Sequence, residues 1–231
     1  MISDFKIAVI SPVYNEEESI SKVIQDIPKY VDEIIVVNNG STDKTAAIAK
    51  YLNVTVLDEP EKGYGSACIK GLDYIEAKKF DVISFLDGDY SDYPDELGMI
   101  LQPIIESNYD MVIGSRIIGN REKGSMLPQA VFGNWLSTFL IKLFWEYKFT
   151  DLGPFRAIKY SSLLKLNMRD RNFGWTVEMQ IKAAKHKLKC TEVPVSYRKR
   201  IGQSKVTGTF KGTVKASIKI LYLIFTSVLK E

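Results

Sequence analysis

The chain has 231 residues, of which 45% are hydrophobic and 11% aromatic, and its formal net charge is +3. This length fits one large domain or one domain with an appendage, and the apolar content excludes a chain that is disordered throughout. Cys68 and Cys190 have neither metal-ligand spacing nor the pattern of a disulfide framework, which favours a reducing compartment. We find no signal-peptide core near Met1 and no run of the ~18 apolar residues needed to cross a bilayer.

Strand and helix patterns alternate through the first half of the chain. Short apolar runs predict strands over 6–10, 33–37, 54–57, 81–86 and 111–114, and helical patterns separate most of them. This alternation predicts an α/β layer structure with a mostly parallel central sheet. In such sheets ligands bind at the carboxyl ends of the strands. The conspicuous polar groups all follow a strand, at 14–16, 38–43, 87–89 and 115–116.

The strand over 81–86 leads directly into the carboxylates Asp87, Asp89, Asp92 and Asp95. Clustered like charges are unfavourable unless a cation neutralises them, so Asp87 and Asp89 predict a site for a hard cation such as Mg2+ or Mn2+. The alternative is a turn that leads into a helix N-cap. That alternative accounts well for Asp92 and Asp95 but poorly for the first pair.

A glycine pair, Gly63-Tyr-Gly65, precedes a helix predicted over 66–78. It matches only the start of a dinucleotide fingerprint, because Cys68 takes the place of the final glycine. Two interpretations remain open. Either the turn brings a helix N-terminus close to a phosphate or a sugar hydroxyl, or it allows backbone segments to pack closely.

The second half of the chain has a different character. A helix predicted over 128–149 carries many large apolar residues, which fits burial in the core or a position at a membrane boundary. The segment 182–219 contains eleven Lys or Arg and one Glu, which favours an anionic ligand or surface. The last predicted helix has a lysine stripe at Lys211, Lys215 and Lys219 beside an apolar stripe. Such a helix lies on a membrane or packs against a partner subunit.

Five segments together resemble the family 2 glycosyltransferases of the GT-A fold: Ser11-Pro-x-Tyr-Asn-Glu16, Val37-Asn-Asn-Gly-Ser-Thr-Asp43, Gly63-Tyr-Gly65, Leu86-Asp-Gly-Asp89 and Gly114-Ser-Arg116. A sixth, Arg200-Ile-Gly-Gln-Ser-Lys205, resembles the basic loop of the dolichyl- or polyprenyl-phosphate mannose and glucose synthases. The resemblance implies a Rossmann-like, three-layer α/β/α GT-A domain over 1–210. The segment 211–231 would follow as a C-terminal amphipathic helix.

The resemblance also implies roles for particular residues. The nucleotide would contact Pro12, Tyr14, Glu16, Asn39, Asp43, Gly65, Asp87 and Gly88. Mg2+ or Mn2+ would bind Asp87 and Asp89, with Ser91 at a position where several of these synthases have Gln. Phosphate or acceptor groups would meet Arg116, Arg156, Arg200, Ser204 and Lys205. Asp89, Asp151 and Arg200 would act in catalysis.

The expected reaction is an inverting transfer of a sugar from a UDP- or GDP-linked donor to an acceptor. The metal and the basic loop would stabilise the charge that develops on the leaving diphosphate. The lysine-rich surface and the C-terminal helix favour a dolichyl or undecaprenyl phosphate acceptor, which is already anionic and needs no general base. The alternative is a hydroxyl acceptor in polysaccharide or glycolipid synthesis, which needs a base such as Asp151 or Glu178.

Two other classes of protein fit the pattern less well. A sugar nucleotidyltransferase would have a Gly-rich loop with a basic end after the first strand, and residues 11–15 contain neither Gly nor Lys. A non-catalytic membrane or nucleic-acid binder would leave the ordered carboxylates unexplained, so we expect no nucleic-acid partner. We expect a cytoplasmic protein, peripheral on the inner face of the cell membrane, and the C-terminal helix also leaves room for a homo-oligomer.

Overall fold

The computed structural model describes residues 5–202 and 210–229. Seven strands form one sheet within those residues: β1 Ile7–Val13, β2 Glu33–Asn38, β3 Thr55–Asp58, β4 Val82–Phe85, β5 Met111–Ser115, β6 Arg156–Lys159 and β7 Cys190–Pro194. The described α-helices are α1 Ile20–Asp26, α2 Thr45–Tyr51, α3 Tyr64–Ile75, α4 Leu97–Ser107, α5 Pro128–Trp145, α6 Tyr160–Leu166, α7 Trp175–Lys185 and α8 Phe210–Val228. A short 3-10 helix, Pro94–Glu96, precedes α4.

The strand order is β3-β2-β1-β4-β6-β5-β7, and every neighbouring pair is parallel except the two that involve β6. The predicted α/β class with a mostly parallel sheet is therefore confirmed. Alternate residues of β1 enter different cores: Ala8 and Ile10 pack with α3 and α7, whereas Ile7 and Val9 pack with α1 and α4. Helices thus cover both faces of the sheet, as three layers require.

Strand β6 lies between β4 and β5 and runs antiparallel to both, with Arg156 opposite Phe85 and Ile113. Because β6 is reversed, its first residue lies at the carboxyl ends of the two neighbouring strands. The loop before β6, including Asp151, therefore reaches the same edge of the sheet as the predicted metal ligands. Alternation along the sequence predicts a strand here but not its direction.

Helix α8 packs against α5 and α7, with Ala216 and Ile224 buried. Lys219 forms a 2.8 Å salt bridge with buried Asp170. Within the predicted lysine stripe, Lys219 is thus paired inside the fold and Lys215 is exposed. The side chain of Lys211 lies outside the described part, so contact of the stripe with a membrane or a partner subunit stays a prediction. Among the described residues no helix has the length and apolar character needed to span a bilayer.

Candidate functional site

Two adjoining cavities open at the carboxyl edge of the sheet, with volumes of about 500 and 300 Å³. Tyr64, Asp87, Phe173 and Arg200 line both of them. The smaller cavity lies above β1 and α3, and the larger one lies between α5, α8 and the loop before β6. A molecule in one cavity can therefore meet a molecule in the other beside Asp87 and Arg200.

Loop residues that follow β1 and β2 form most of the smaller cavity. Among the residues predicted to bind nucleotide, Pro12, Tyr14, Glu16, Asn39, Asp87 and Gly88 line it. Lys62, which the sequence analysis did not single out, also lines it, and its ammonium lies 5.3 Å from the centre of the Tyr14 ring. An aromatic ring at the rim and carboxylates at the inner end could hold a base, a ribose and, through a metal, a diphosphate.

Asn39 has its amide occupied by backbone groups. Its Nδ2 donates to the carbonyl oxygens of Glu59 (3.1 Å) and Glu61 (2.7 Å), and its Oδ1 accepts from the N–H of Gly63 (2.7 Å). Both amide protons are thus used. Asn39 therefore holds the loop over 59–63 at the cavity wall, and its amide protons are not available to a bound nucleotide.

Two other predicted nucleotide contacts have structural roles. Asp43 accepts hydrogen bonds from the N–H groups of Glu17 (3.2 Å) and Thr45 (3.0 Å), which join α2 to the loop after β1. At Gly65 an added Cβ would lie 1.8 Å from the carbonyl oxygen of Asp170. Gly65 therefore allows close backbone packing, the second of the two interpretations, and neither residue lines the smaller cavity.

Asp87 lines both cavities, and Asp89 lines the smaller one. Asp87 accepts a 2.9 Å hydrogen bond from the Tyr64 hydroxyl, and burial together with the charge of Asp89 raises the pKa of Asp87 to about 6. No group of three or more His, Cys, Asp or Glu able to hold a metal occurs among the described residues. Mg2+ commonly binds one or two protein carboxylates, with substrate phosphates and water completing its shell. The pair fits a divalent cation that arrives with a diphosphate.

Ser91 supports Asp89 rather than facing the cavities. Its N–H and its hydroxyl donate to Asp89 Oδ1 at 2.9 and 2.5 Å, and its side chain is buried. In this geometry the Ser91 hydroxyl orients Asp89, so Ser91 contributes to the metal site through Asp89, and direct ligation by Ser91 stays a prediction.

Arg200 lines both cavities and forms ion pairs with two carboxylates. Its Nη2 donates to Glu16 Oε1 (2.8 Å), and its Nη1 lies 3.1 Å from Asp89 Oδ2. A planar guanidinium can make both contacts because its donors form a rigid fork. Arg200 is thus placed to meet anionic groups beside the carboxylate pair. The predicted phosphate contacts Ser204 and Lys205 lie outside the described residues.

The side chains of Arg116 and Asp151 form a buried ion pair beside the larger cavity. Asp151 Oδ2 accepts from the N–H and Nε of Arg116, both at 2.8 Å, and Oδ1 accepts from Nη2 at 2.7 Å. Burial alone would raise the pKa of Asp151, but the charge and hydrogen bonds of Arg116 outweigh it and lower that pKa. Asp151 does not line either cavity, and this geometry favours a role in holding Arg116 over the predicted role as a general base.

Glu178, the other predicted base, is also engaged elsewhere. It accepts from the N–H groups of Arg169 and Asp170 and pairs with Lys182 at 2.7 Å. Arg156, predicted to bind phosphate, is fully buried and donates to the carbonyl oxygens of Leu152, Gly153 and Thr176. Burial lowers the pKa of Arg156 to about 10. Arg156 holds the loop before β6 and contacts neither cavity.

The larger cavity contains residues that sequence reasoning missed. Its charged end has Arg116, Lys199 and Arg200, and its apolar wall includes Leu127, Ala130, Phe173, Ala216 and Ile220. The basic run over 198–200 signalled Lys199. Phe173 follows no strand, so a strand-end pattern does not point to it. Ala130, Ala216 and Ile220 lie in one cavity wall only because α5 packs on α8, which the sequence pattern does not reveal.

The comparisons with known proteins agree with this architecture. Residues 8–166 match the family model described as glycosyl transferase family 2. The chain is 31% identical over 216 residues to the UDP-N-acetylglucosamine–dolichyl-phosphate N-acetylglucosaminyltransferase of Methanococcus voltae, covering 84% of this chain and 86% of that protein. It is 25% identical over 226 residues to the undecaprenyl-phosphate mannosyltransferase of Micrococcus luteus, covering 92% of each.

Among solved structures, the glucosyl-3-phosphoglycerate synthase of Mycobacterium tuberculosis in complex with Mn2+, UDP and glucosyl-3-phosphoglycerate has a TM-score of 0.76. That match has 18% identity and covers 98% of this chain and 81% of that one. The likeness identifies the sheet and its flanking helices as a GT-A fold. With the family match over more than half its length, the chain belongs to glycosyl transferase family 2 and is a glycosyltransferase.

Proposed function

We propose that this glycosyltransferase transfers a sugar, with inversion, from a nucleoside diphosphate donor to a polyprenyl phosphate. The observation that carries the proposal is the chemistry of the larger cavity. The cavity has three cationic side chains at one end, those of Arg116, Lys199 and Arg200, and an apolar wall beside them. Asp87 is the one carboxylate among the described residues that line it. The two carboxylates that could have served as a base for a hydroxyl acceptor are engaged elsewhere in the fold.

The donor would occupy the smaller cavity with its diphosphate toward Asp87 and Asp89. A bound Mg2+ or Mn2+ would neutralise charge on the departing diphosphate. Arg200 would add a second positive group on the same side, where hydrogen bonds to developing charge contribute most to the rate. Breaking the sugar–phosphate bond leaves the nucleoside diphosphate as an anion, so the reaction requires no proton for the leaving group.

The acceptor phosphate would lie near Arg116, Lys199 and Arg200. Its oxygen is already ionised near neutral pH and can attack the anomeric carbon without a general base. The polyprenyl chain of the acceptor would extend from the phosphate past Leu127 and Ile220, between α5 and α8. An alcohol acceptor would need a proton acceptor at this position, and Tyr197 is unsuited because burial raises its pKa to about 12.

The same two helices would bring the enzyme to a membrane. Large apolar side chains are exposed along α5 and α8: Phe132, Trp135, Phe139, Leu143, Ile218, Tyr222 and Phe225. Trp and Tyr favour the interface between membrane and water. These side chains support the proposal that the protein is peripheral on the inner face of the cell membrane.

The deciding experiment offers purified protein, Mn2+ and a panel of UDP- and GDP-linked sugars to vesicles that contain undecaprenyl or dolichyl phosphate. Matched vesicles contain the corresponding polyprenols, which lack the phosphate. We expect glycosylated lipid phosphate, identified by mass spectrometry, and no transfer to the polyprenols. Transfer to an alcohol with none to the phosphate would favour a hydroxyl acceptor instead.

A further inference from the structure

The turn that carries Asp89 has an unusual backbone. Tyr90, directly after Asp89, has a φ of 61°. A residue with a Cβ adopts this left-handed conformation only at a cost in free energy, and an aromatic residue there calls for a physical reason. The surrounding structure must hold Tyr90 in place.

The side chain of Arg198 restrains the backbone of Tyr90, while the Tyr90 hydroxyl donates to Asp26 Oδ2. The Arg198 Nε donates to the carbonyl oxygen of Tyr90 at 2.6 Å, and its Nη2 donates to the carbonyl oxygen of Asp92 at 3.1 Å. Its guanidinium lies 3.4 Å from the ring centre of Tyr90 and 4.0 Å from that of Tyr93. The planar cation therefore lies against both aromatic rings while it bonds two carbonyls of one turn.

The backbone around Arg198 joins the same turn. The N–H of Arg198 donates to the carbonyl oxygen of Ser91 at 2.9 Å, and the N–H of Ile201 donates to that of Asp89 at 3.0 Å. Ser91 in turn holds Asp89 Oδ1 through its N–H and hydroxyl. The Arg198 guanidinium thus holds the carbonyls of Tyr90 and Asp92 on either side of Ser91, the residue whose N–H and hydroxyl hold the carboxylate proposed to bind metal.

We propose that Arg198 is a positioning residue that clamps the Asp89–Asp92 turn so that the Asp89 carboxylate is preorganised for a divalent cation. Arg198 lines neither cavity and touches neither donor nor acceptor in this arrangement. Its effect on the reaction passes through Asp89. This inference rests on the proposed metal-assisted transfer, but it concerns cation binding, which is measurable without any acceptor.

The test compares Arg198→Lys with Arg169→Lys, a matched change at an exposed arginine. Lysine keeps the positive charge but cannot bond two carbonyls as a planar fork does. Mn2+ binding by each protein is measured from the electron paramagnetic resonance signal of the Mn2+ that remains free. The titration is made with Mn2+ alone, then in the presence of UDP, and then in the presence of GDP. We expect Arg198→Lys to weaken Mn2+ binding by about 10- to 100-fold, as losses of groups that orient metal ligands do, and Arg169→Lys to match the wild type.

A second variant tests the physical cause. Glycine adopts a positive φ without the steric cost that a Cβ imposes, so Tyr90→Gly in the Arg198→Lys background should recover most of the lost Mn2+ affinity. A change that merely destabilised the fold would not be rescued in this way. In transfer assays the KM for Mn2+ should rise while kcat at saturating Mn2+ stays near the wild-type value.

The outcomes separate this inference from the proposed function. Mn2+ binding by Arg198→Lys within two-fold of the wild type, or no recovery by Tyr90→Gly, would overturn the clamp alone. Wild-type protein that binds Mn2+ but glycosylates no lipid phosphate would overturn only the proposed acceptor. Wild-type protein that binds no Mn2+ would overturn the clamp together with the metal site.

Discussion

Asp151 accepts three hydrogen bonds from Arg116, one from its backbone N–H and two from its guanidinium, all between 2.7 and 2.8 Å. The Asp151 side chain is completely buried. This pairing orients Arg116 at the wall of the larger cavity and occupies the carboxylate that sequence reasoning had assigned to proton transfer. Asp151 therefore contributes to the site by holding the Arg116 guanidinium in position.

Disruption of this pair should destabilise the protein. Asp151→Asn and Arg116→Ala each leave one buried charge without its partner, which costs about 3–5 kcal/mol of unfolding free energy. Urea denaturation measures the loss, and Arg169→Ala, at an exposed arginine, should change it by less than ~0.5 kcal/mol. A stable Asp151→Asn protein that has lost only transfer would instead favour a general-base role.

Asp89 should matter far more for activity than Asp92. We expect Asp89→Asn to reduce transfer on the order of a hundred-fold or more, since it removes a group that positions charge at the leaving diphosphate. Asp92 is buried, its carboxylate has no hydrogen-bond partner among the described residues, and burial raises its pKa well above the usual range. Asp92→Asn should therefore preserve activity and folding. Equal losses in Mn2+-dependent assays would show that the metal site is misplaced within the cluster.

Removal of divalent cations should abolish transfer. Excess EDTA should stop product formation, and Mn2+ or Mg2+ added beyond the chelator should restore it, because the carboxylates of Asp87 and Asp89 repel an anionic diphosphate unless a cation lies between them. The measurement is glycolipid formation before and after the addition. Full turnover in EDTA would contradict the assignment of this carboxylate pair.

The larger cavity should control the acceptor and leave the donor unaffected. Ser217 lines it from α8, so Ser217→Trp should fill the space for the acceptor chain and raise the KM for polyprenyl phosphate at least ten-fold, roughly what ~1.4 kcal/mol of lost binding gives. Donor binding, measured by calorimetry with Mn2+ and UDP or GDP, should not change. Ser161→Trp, on exposed α6 surface, controls for added bulk. An unchanged KM would mean that the acceptor lies elsewhere.

The exposed apolar faces of α5 and α8 should bind membranes. Trp135 and Phe225 are 56% and 49% exposed, and their combined change to Ser should reduce co-sedimentation with anionic vesicles at both low and high salt. Point variants are preferable to deletion of α8, because Ala216 and Ile220 form part of the cavity wall. Tyr51→Ser, at an aromatic residue on α2 that is 86% exposed, is the matched control. Undiminished vesicle binding would favour a protein partner for this surface.

The residue pattern alone predicted the α/β class, the strand-end position of the site and the carboxylate pair in it. These features are local or periodic: apolar runs specify strands, and carboxylates directly after β4 must lie at that edge of the sheet. Asp87 and Asp89 line the cavities as this pattern predicts, and so do Pro12, Tyr14, Glu16 and Arg200, whose roles the family resemblance implied.

Only the tertiary structure decided which polar side chains can contact a ligand and which form hydrogen bonds within the protein instead. Asn39, Asp43, Asp151 and Arg156 all carry suitable chemical groups, but backbone groups or side chains distant in sequence occupy them. Ser91 is occupied by the Asp89 carboxylate two residues away. The reversed direction of β6 brings Asp151 to Arg116, and the packing of α8 on α5 builds the acceptor wall. A buried polar group needs a partner, and the identity of that partner depends on three-dimensional neighbours that sequence spacing does not encode.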